Sequence, residues 1–484
     1  MDWSYPLLAA CERHPRRTAI RYRGTEVTYA ELEDRIARAA AALRAAGLGG
    51  RTVAWLAPAA PEAVVVSMAL ARIGALAVPL NPALTDGELA FLLEDARAEA
   101  VLVAAELAGP AHPRRIDLAE LDLGDPAAAP DGWAVDDDAP ATVMYTSGTT
   151  GAPKGVVRTH RANAWNVVNS ALASPRAPED VELFTLPVFG IGLLHFAIPA
   201  LLGGATLLLD GAFDARRAWD LLEHERATRT FLAPTMLSAM LAIAGHEARD
   251  TSALHTIYSA YEFPAPLQQR AIARFGDCFV YMYGLTEAQL TCTRRGDLTR
   301  KPGSVGTAMG VARVRVLDED GRPAPPGATG EIALHGPSAM AGYHERPEET
   351  AATLAGGWVR TGDLGRLDED GDLRYAGRRK EMIKTGGYSV DPREVEDALV
   401  ALDAVQEAAV VGVPDEHWGE MVVAFVVGDP PPAEDAVRAA LRARLAGYKV
   451  PKRVLALDAL PLNATGKVAR AALRERYASD AAAG

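Results

Sequence analysis

Tyr145-Thr-Ser-Gly-Thr-Thr-Gly-Ala-Pro-Lys-Gly-Val156 packs three glycines, four Ser/Thr hydroxyls and one cation into twelve residues. Glycine lets a backbone turn and approach a ligand with its N–H groups exposed. Gly148, Gly151 and Gly155 supply that freedom. Thr146, Ser147, Thr149 and Thr150 add short-range donors, and Lys154 adds positive charge. The combination suits the oxygens of a polyphosphate, and the same composition also suits a flexible linker. Two neighbours favour the phosphate reading. Thr142-Val-Met-Tyr145 reads as a buried strand entering the loop, and a basic stretch of helical character is expected from Gly155 onward. Strand, phosphate loop and helix in that order make an anion site in α/β proteins. It is not a Walker A loop, because GxxxxGK[ST] occurs nowhere in the chain.

The hundred N-terminal residues alternate helix and strand. Thr28 with Glu31 forms a capping box that opens a helix ending at Gly47, and Thr85 with Glu88 opens another. Val53–Leu56, Ala77–Leu80 and Ala100–Ala104 read as strands and Pro61–Ile73 as a helix. Apolar strands joined by helices predict a parallel sheet covered on both faces. Residues 124–140 read as a connector. After residue 285 the pattern turns to hairpins, at Val314–Leu317 and Gly365–Asp368, and the last hundred residues return to α/β. The expected fold is α/β: a large N-terminal domain of parallel α/β subdomains plus a small β subdomain, then a small mobile α+β C-terminal domain. The boundary is placed at Gly377–Lys380, giving domains 1–377 and 378–484.

A chain of 484 residues has room for two to four domains at about 150 residues each. Its formal charge of −13 disfavours non-specific binding to nucleic acid or an anionic membrane, so an anionic ligand must be held by local basic groups. Cys11, Cys278 and Cys292 form no CxxC pair, which argues against a disulfide framework or zinc site and for a reducing, cytoplasmic setting. The N-terminus lacks the basic-then-apolar order of a signal peptide. Gly190–Leu209 carries no Lys, Arg, Asp or Glu and reaches spanning length, but Pro199 and Gly203-Gly204 split it into a buried helix and strand.

Four further motifs follow the loop: Tyr283-Gly-Leu-Thr-Glu287, Thr361-Gly-Asp363, Gly377-Arg-Arg-Lys-Glu-Met-Ile-Lys-Thr-Gly-Gly387 and Pro461-Leu-Asn-Ala-Thr-Gly-Lys467. Read singly, each has an ordinary explanation: a helix start, a turn aspartate, a basic hairpin and a solvated lysine. Together with the loop, and in this order, they resemble the adenylate-forming superfamily of acyl-CoA synthetases, peptide-synthetase adenylation domains and luciferases. The resemblance covers Leu7 to Arg476.

It implies an AMP-forming acid–thiol ligase that uses ATP, Mg2+ and coenzyme A. Residues 146–151, Lys154, Tyr283, Gly284 and Thr286 would bind ATP, with Glu262 near adenine and Asp363 and Arg378 on the ribose. Glu287 would hold Mg2+. Lys467 would be the catalytic lysine, acting with Lys154, Thr286 and Glu287. Lys380 would be the hinge about which the C-terminal domain alternates, and Gly386 and Gly387 would line the thiol tunnel. Phe189, Gly190, Ala260, Tyr261 and Tyr283 would line the acyl pocket. Two positions depart from the family pattern. Gly190 replaces the frequent histidine that gates the tunnel, and Tyr261 replaces a glycine, which should shorten or reshape the pocket. No aspartate follows Phe184 as in amino-acid-activating domains, so the expected acid is uncharged, short-to-medium or aromatic. Nothing after Lys467 resembles a carrier domain. The thiol therefore comes in trans, from CoA or alternatively from the phosphopantetheine of a separate carrier protein.

Overall fold

Apolar strands need cover on both faces, and their alternation sets what each face meets. The first sheet places Gly342–Tyr343, Lys154–Thr159, Pro140–Thr146, Leu76–Pro79, Thr52–Leu56, Ala100–Val103 and Arg115–Asp117 side by side. The strands from Pro140–Thr146 to Arg115–Asp117 run parallel, while Lys154–Thr159 and Gly342–Tyr343 add an antiparallel edge. Val53, Trp55, Ala77, Leu102 and Met144 enter one core. Their sequence neighbours Ala54, Leu56, Val78, Val101 and Val143 enter a second core. The computed structural model describes the chain except residues 1, 131–134, 147–152, 261–262, 264, 380, 386–387, 416, 463–467 and 484. The side chains of 122–123, 265, 289–290, 389 and 481–483 are also outside it.

The helices begin where the sequence signals them. Thr28 and Glu31 close a capping box on Tyr29–Ala45, and Thr85 and Glu88 close one on Asp86–Asp95. Pro61 opens Pro61–Arg72, which is buried nearly all round. A nine-stranded sheet runs Thr307–Ala308, Gln289–Cys292, Phe279–Gly284, Thr256–Ser259, Arg229–Phe231, Val181–Leu183, Thr206–Leu209, Thr18–Tyr22 and Thr25–Thr28. It too is parallel in its middle and antiparallel at both ends. The uncharged run at Gly190–Leu209 resolves into a π-helical turn at Leu193–Ala197, a helix at Ile198–Leu202 and the strand Thr206–Leu209. Among the described residues no helix is long and apolar enough to cross a membrane.

The chain divides into two compact units. One comprises Met1–Tyr261, Asp277–Val314 and Ala333–Thr361 and holds both sheets; the other comprises Glu262–Gly276, Arg315–Ile332 and Gly362–Gly484. In the second unit, Asp318 and Arg322 close a hairpin through a 2.8 Å backbone bond, and the strand segment after Gly362 pairs with Leu373–Arg378. Its C-terminal sheet runs Tyr388–Val390, Ile383–Thr385, Gly419–Val427 and Glu407–Asp415, with Arg453–Ala456 also on Gly419–Val427. Val410, Val422, Ala424 and Val426 pack with Val395, Leu399, Val437 and Leu441. The alternate residues Ala409, Val411, Val423 and Phe425 pack with Leu457 and Leu473. Both faces are buried, which is why these strands read as unbroken apolar runs.

Candidate active site

Pro140–Thr146 does not lead through the glycine loop into a helix. It pairs antiparallel with Lys154–Thr159, in the register Thr146↔Lys154 and Tyr145↔Gly155. The helix expected from Gly155 starts later, at His160–Ala173, with Thr159 as its N-cap accepting from Ala162 N at 3.1 Å. Val156, Val157 and Thr159 are β-branched and fit a pleated ladder better than a first helical turn. Any anion at this loop is therefore met by the loop itself, not by that helix's N-terminus. Ser147, Gly148, Thr149, Thr150 and Gly151 lie outside the described residues. Gly155 is needed for close approach: a Cβ there would sit 2.6 Å from Val143 and 3.3 Å from both Tyr145 and His344. Beside it Tyr145 donates to Asp95 at 2.7 Å, and Arg346 holds the other oxygen of Asp95 at 2.8 Å.

Tyr283-Gly-Leu-Thr-Glu287 is a hairpin turn, not a helix start. Phe279–Gly284 and Gln289–Cys292 pair antiparallel, and Leu285 and Ala288 exchange backbone bonds of 3.0 and 3.3 Å. The backbone of its last two residues is pinned twice. Arg158 Nη1 donates to Thr286 O at 2.8 Å, and Met340 N donates to Glu287 O at 2.7 Å. Tyr343 donates its hydroxyl to Glu287 Oε1 at 2.7 Å. Lys154 lies over the Tyr343 ring at 5.6 Å and pairs with Glu349 at 3.3 Å. The structure thus brings Lys154, Thr286 and Glu287 into one region of the first unit.

Arg158 belongs to none of the five motifs, and it is fully buried. Besides Thr286 it reaches Asn163 Oδ1 at 2.9 Å, Ala162 O at 3.2 Å and Ser338 O at 3.0 Å, and Asn163 passes the chain on to Thr142 at 3.2 Å. Burial pushes its guanidinium down to about 10, with the Glu287 charge acting against that shift. One signal was available. Alternation puts Arg158 on the inward face with Val156, and a charge at an inward strand position breaks the binary pattern.

Glu287 suits a divalent cation in a limited way. One carboxylate oxygen is held by Tyr343, and among the described residues Glu287 belongs to no group of three potential metal ligands. A lone carboxylate fits Mg2+ that arrives with phosphate oxygens and water, not a resident ion in a protein cage.

Asp363 and Arg378, fifteen residues apart in sequence, are cross-strand partners in the second unit, with Arg378 Nε 3.1 Å from Asp363 Oδ1. Asp363 is 2% exposed, deeper than a turn aspartate. Of the expected pocket residues, Tyr283 is half-buried at the end of its strand, Phe189 and Gly190 are half-buried before the π-helical turn, and Ala260 is exposed after Thr256–Ser259. A Cβ at Gly190 would meet only Pro187 O, at 3.8 Å, so packing does not demand glycine there. Tyr261, Glu262, Lys380, Gly386, Gly387 and Lys467 lie outside the described residues.

Comparison with known proteins agrees with this organisation. Residues 7–344 match the family described as AMP-binding enzyme, and residues 394–467 match the AMP-binding enzyme C-terminal domain. The chain is 39% identical to a feruloyl-CoA synthase of an Amycolatopsis species, over 98% of each protein. It is 38% identical to indoleacetate–CoA ligase of Aromatoleum aromaticum, over 96% of each. The o-succinylbenzoate CoA synthetase of Bacillus subtilis, solved with its acyl-adenylate intermediate, superposes with a TM-score of 0.86 at 31% identity, covering 98% of both chains. With both family matches in chain order and relatives aligned end to end, this chain belongs to the AMP-binding enzyme family of adenylate-forming enzymes.

Proposed function

We propose that this protein is an AMP-forming acid–thiol ligase that activates an uncharged organic acid with ATP and passes the acyl group to coenzyme A. A carboxylate oxygen attacks the α-phosphorus, the bond to the β-phosphate oxygen breaks, and acyl-AMP and pyrophosphate result. The thiol sulfur then attacks the acyl carbon and AMP leaves. The arrangement around Thr286 and Glu287 carries the reading: a half-buried carboxylate fixed by Tyr343, on a backbone pinned by Arg158 and Met340, beside the cation that ends the glycine loop. Bound there with the nucleotide, Mg2+ would neutralise phosphate charge. Glu287 would orient it, and Lys154 with residues 146–151 would hold phosphate oxygens. Thr286 would reach the α-phosphate. Tyr283, Gly284 and Glu262 would face adenine, and Asp363 and Arg378 the ribose. Such catalysis is positioning plus electrostatic stabilisation of spreading charge.

Lys467 would enter for adenylation, and Gly386 and Gly387 would line the path of the thiol after the C-terminal domain, 378–484, turns about Lys380. Phe189, Gly190, Ala260 and Tyr261 would bound the acid. The free thiols of Cys11, Cys278 and Cys292 are in keeping with a cytoplasmic enzyme. The relatives named as CoA ligases support coenzyme A as acceptor. The experiment is a pyrophosphate-release screen over aliphatic and aromatic acids, first without coenzyme A and then with it. Acid-dependent release in the first arm and thioester in the second are expected. Release without thioester would move the acceptor to a carrier protein, and no release with any acid would overturn the reading.

A further inference from the structure

His195 sits in a part of the fold that its own sequence distorts. Pro199, four residues on, offers no N–H to the His195 carbonyl, and its ring crowds that carbonyl. The helix widens in response: Ile198 N bonds to Leu193 O, the five-residue spacing of a π-turn. Such turns are frequent at functional sites. Phe196 turns into the core against Phe231 and Tyr258, with ring centroids at 5.3 and 5.1 Å.

The adjacent ring of His195 approaches the Tyr283–Glu287 turn instead. Its Cε1 would be 4.0 Å from a Cβ at Gly284, where no side chain intervenes. His195 is 9% exposed, and its Nε2 is shut away from solvent with no hydrogen-bond partner among the described residues. A buried ring nitrogen left unpaired is costly, and a partner arriving from outside the fold would complete it. Burial, helped by the nearby Arg158 charge, pushes the imidazole down to about 3, so it meets that partner neutral. A neutral imidazole has one donor and one acceptor nitrogen, and a hydroxyl pairs with either.

We infer that His195 is a specificity-determining residue of the acid pocket and that the acid carries a neutral hydroxyl which bonds His195 Nε2. The inference rests on the ligase reading above and names a substrate class within it. A carboxylate or ammonium in that place would face a buried, uncharged ring and is disfavoured.

The test compares matched acids with and without a hydroxyl: para-hydroxyphenylacetate against phenylacetate, para-hydroxycinnamate against cinnamate, and an omega-hydroxy fatty acid against its parent. Pyrophosphate release gives kcat/KM for each. In at least one pair the wild type should favour the hydroxylated acid by about tenfold, the worth of one buried hydrogen bond. His195→Phe, which keeps a ring but no nitrogen, should bring that ratio close to one, and His195→Gln, which keeps a donor and an acceptor, should restore part of it. His195→Leu serves the same comparison if the phenylalanine is not accommodated. A wild type that releases pyrophosphate with no preference in any pair, or a His195→Phe enzyme that keeps the preference, overturns the inference while the ligase reading stands. No pyrophosphate release with any acid overturns the ligase reading, and this inference with it.

Discussion

Glu287 and Lys154 meet the same tyrosine from two sides, one through its hydroxyl and one over its ring. That geometry separates charge placement from charge supply. Glu287→Gln keeps the hydrogen-bond shape and removes the charge, so the Mg2+ concentration for half-maximal pyrophosphate release should rise several-fold while the circular dichroism spectrum stays unchanged. An unaltered magnesium titration would remove Glu287 from the metal site. Lys467→Ala tests the other charge. Acyl-AMP formation should fall by about 10²–10³, the scale of losing one donor to a transition-state charge. Thioester formation from synthetic acyl-AMP should survive, because Lys467 is assigned to adenylation alone. Equal loss in both half-reactions would remove that assignment.

At the scale of elements, Arg158 joins what the sequence keeps far apart: the strand Lys154–Thr159, the helix His160–Ala173, the turn at Thr286 and the segment at Ser338. Its guanidinium is buried and held by four neutral acceptors, Asn163 Oδ1 and the carbonyls of Ala162, Thr286 and Ser338. Arg158→Met strands those acceptors and should destabilise the protein by about 3 kcal/mol or more, read as a lower midpoint in urea. Arg158→Lys keeps the charge but loses the planar fork. It should recover part of the stability and still lower kcat for pyrophosphate release, since the Thr286 carbonyl is no longer fixed. Equal kcat in Arg158→Lys and wild type would make Arg158 purely a structural residue.

The same scale shows what a sequence reader could see. Capping boxes at Thr28 and Thr85, Pro61 at a helix start and apolar runs at Val53–Leu56 and Ala100–Val103 are local signals, and the elements appear where those signals stand. The segment after Gly155 misled because Lys154–Thr159 becomes a strand only through partners on both sides, Pro140–Thr146 and Gly342–Tyr343. Nearly two hundred residues separate it from the second of these, so no local window contains the cause. The Thr-Glu of the Tyr283 motif looked like a helix start although its pairing strands, Phe279–Gly284 and Gln289–Cys292, flank it directly.

For the molecule as a whole, buried histidines set an acid limit on stability. Burial pushes His160 down to about 4 from the usual 6.5. Between those values the unfolded imidazole binds a proton that the folded one refuses, so stability rises with pH through this window and is lost as pH falls through it. The loss is on the order of 3 kcal/mol for this one group. Asp2, Glu33 and Glu396, raised by burial, push the other way. The informative quantity is therefore a difference. His160→Gln should flatten the fall in urea midpoint between pH 6.5 and 4 relative to wild type, and parallel curves would show that His160 takes no part.

By itself the sequence determined the α/β class, the order of the motifs and the elements whose signals are local, because caps, glycines and apolar periodicity act within a few residues of where they stand. Only the tertiary structure decided that Asp363 faces Arg378 across a hairpin, that Tyr343 holds Glu287, that Arg158 is the buried joint behind Thr286 and that His195 turns towards Gly284. Apart from the hairpin pair Asp363 and Arg378, each of these is a contact between segments distant in the chain. Its energy comes from desolvation and from hydrogen bonds completed in a dry interior, and those terms exist only once the sheets have closed over them.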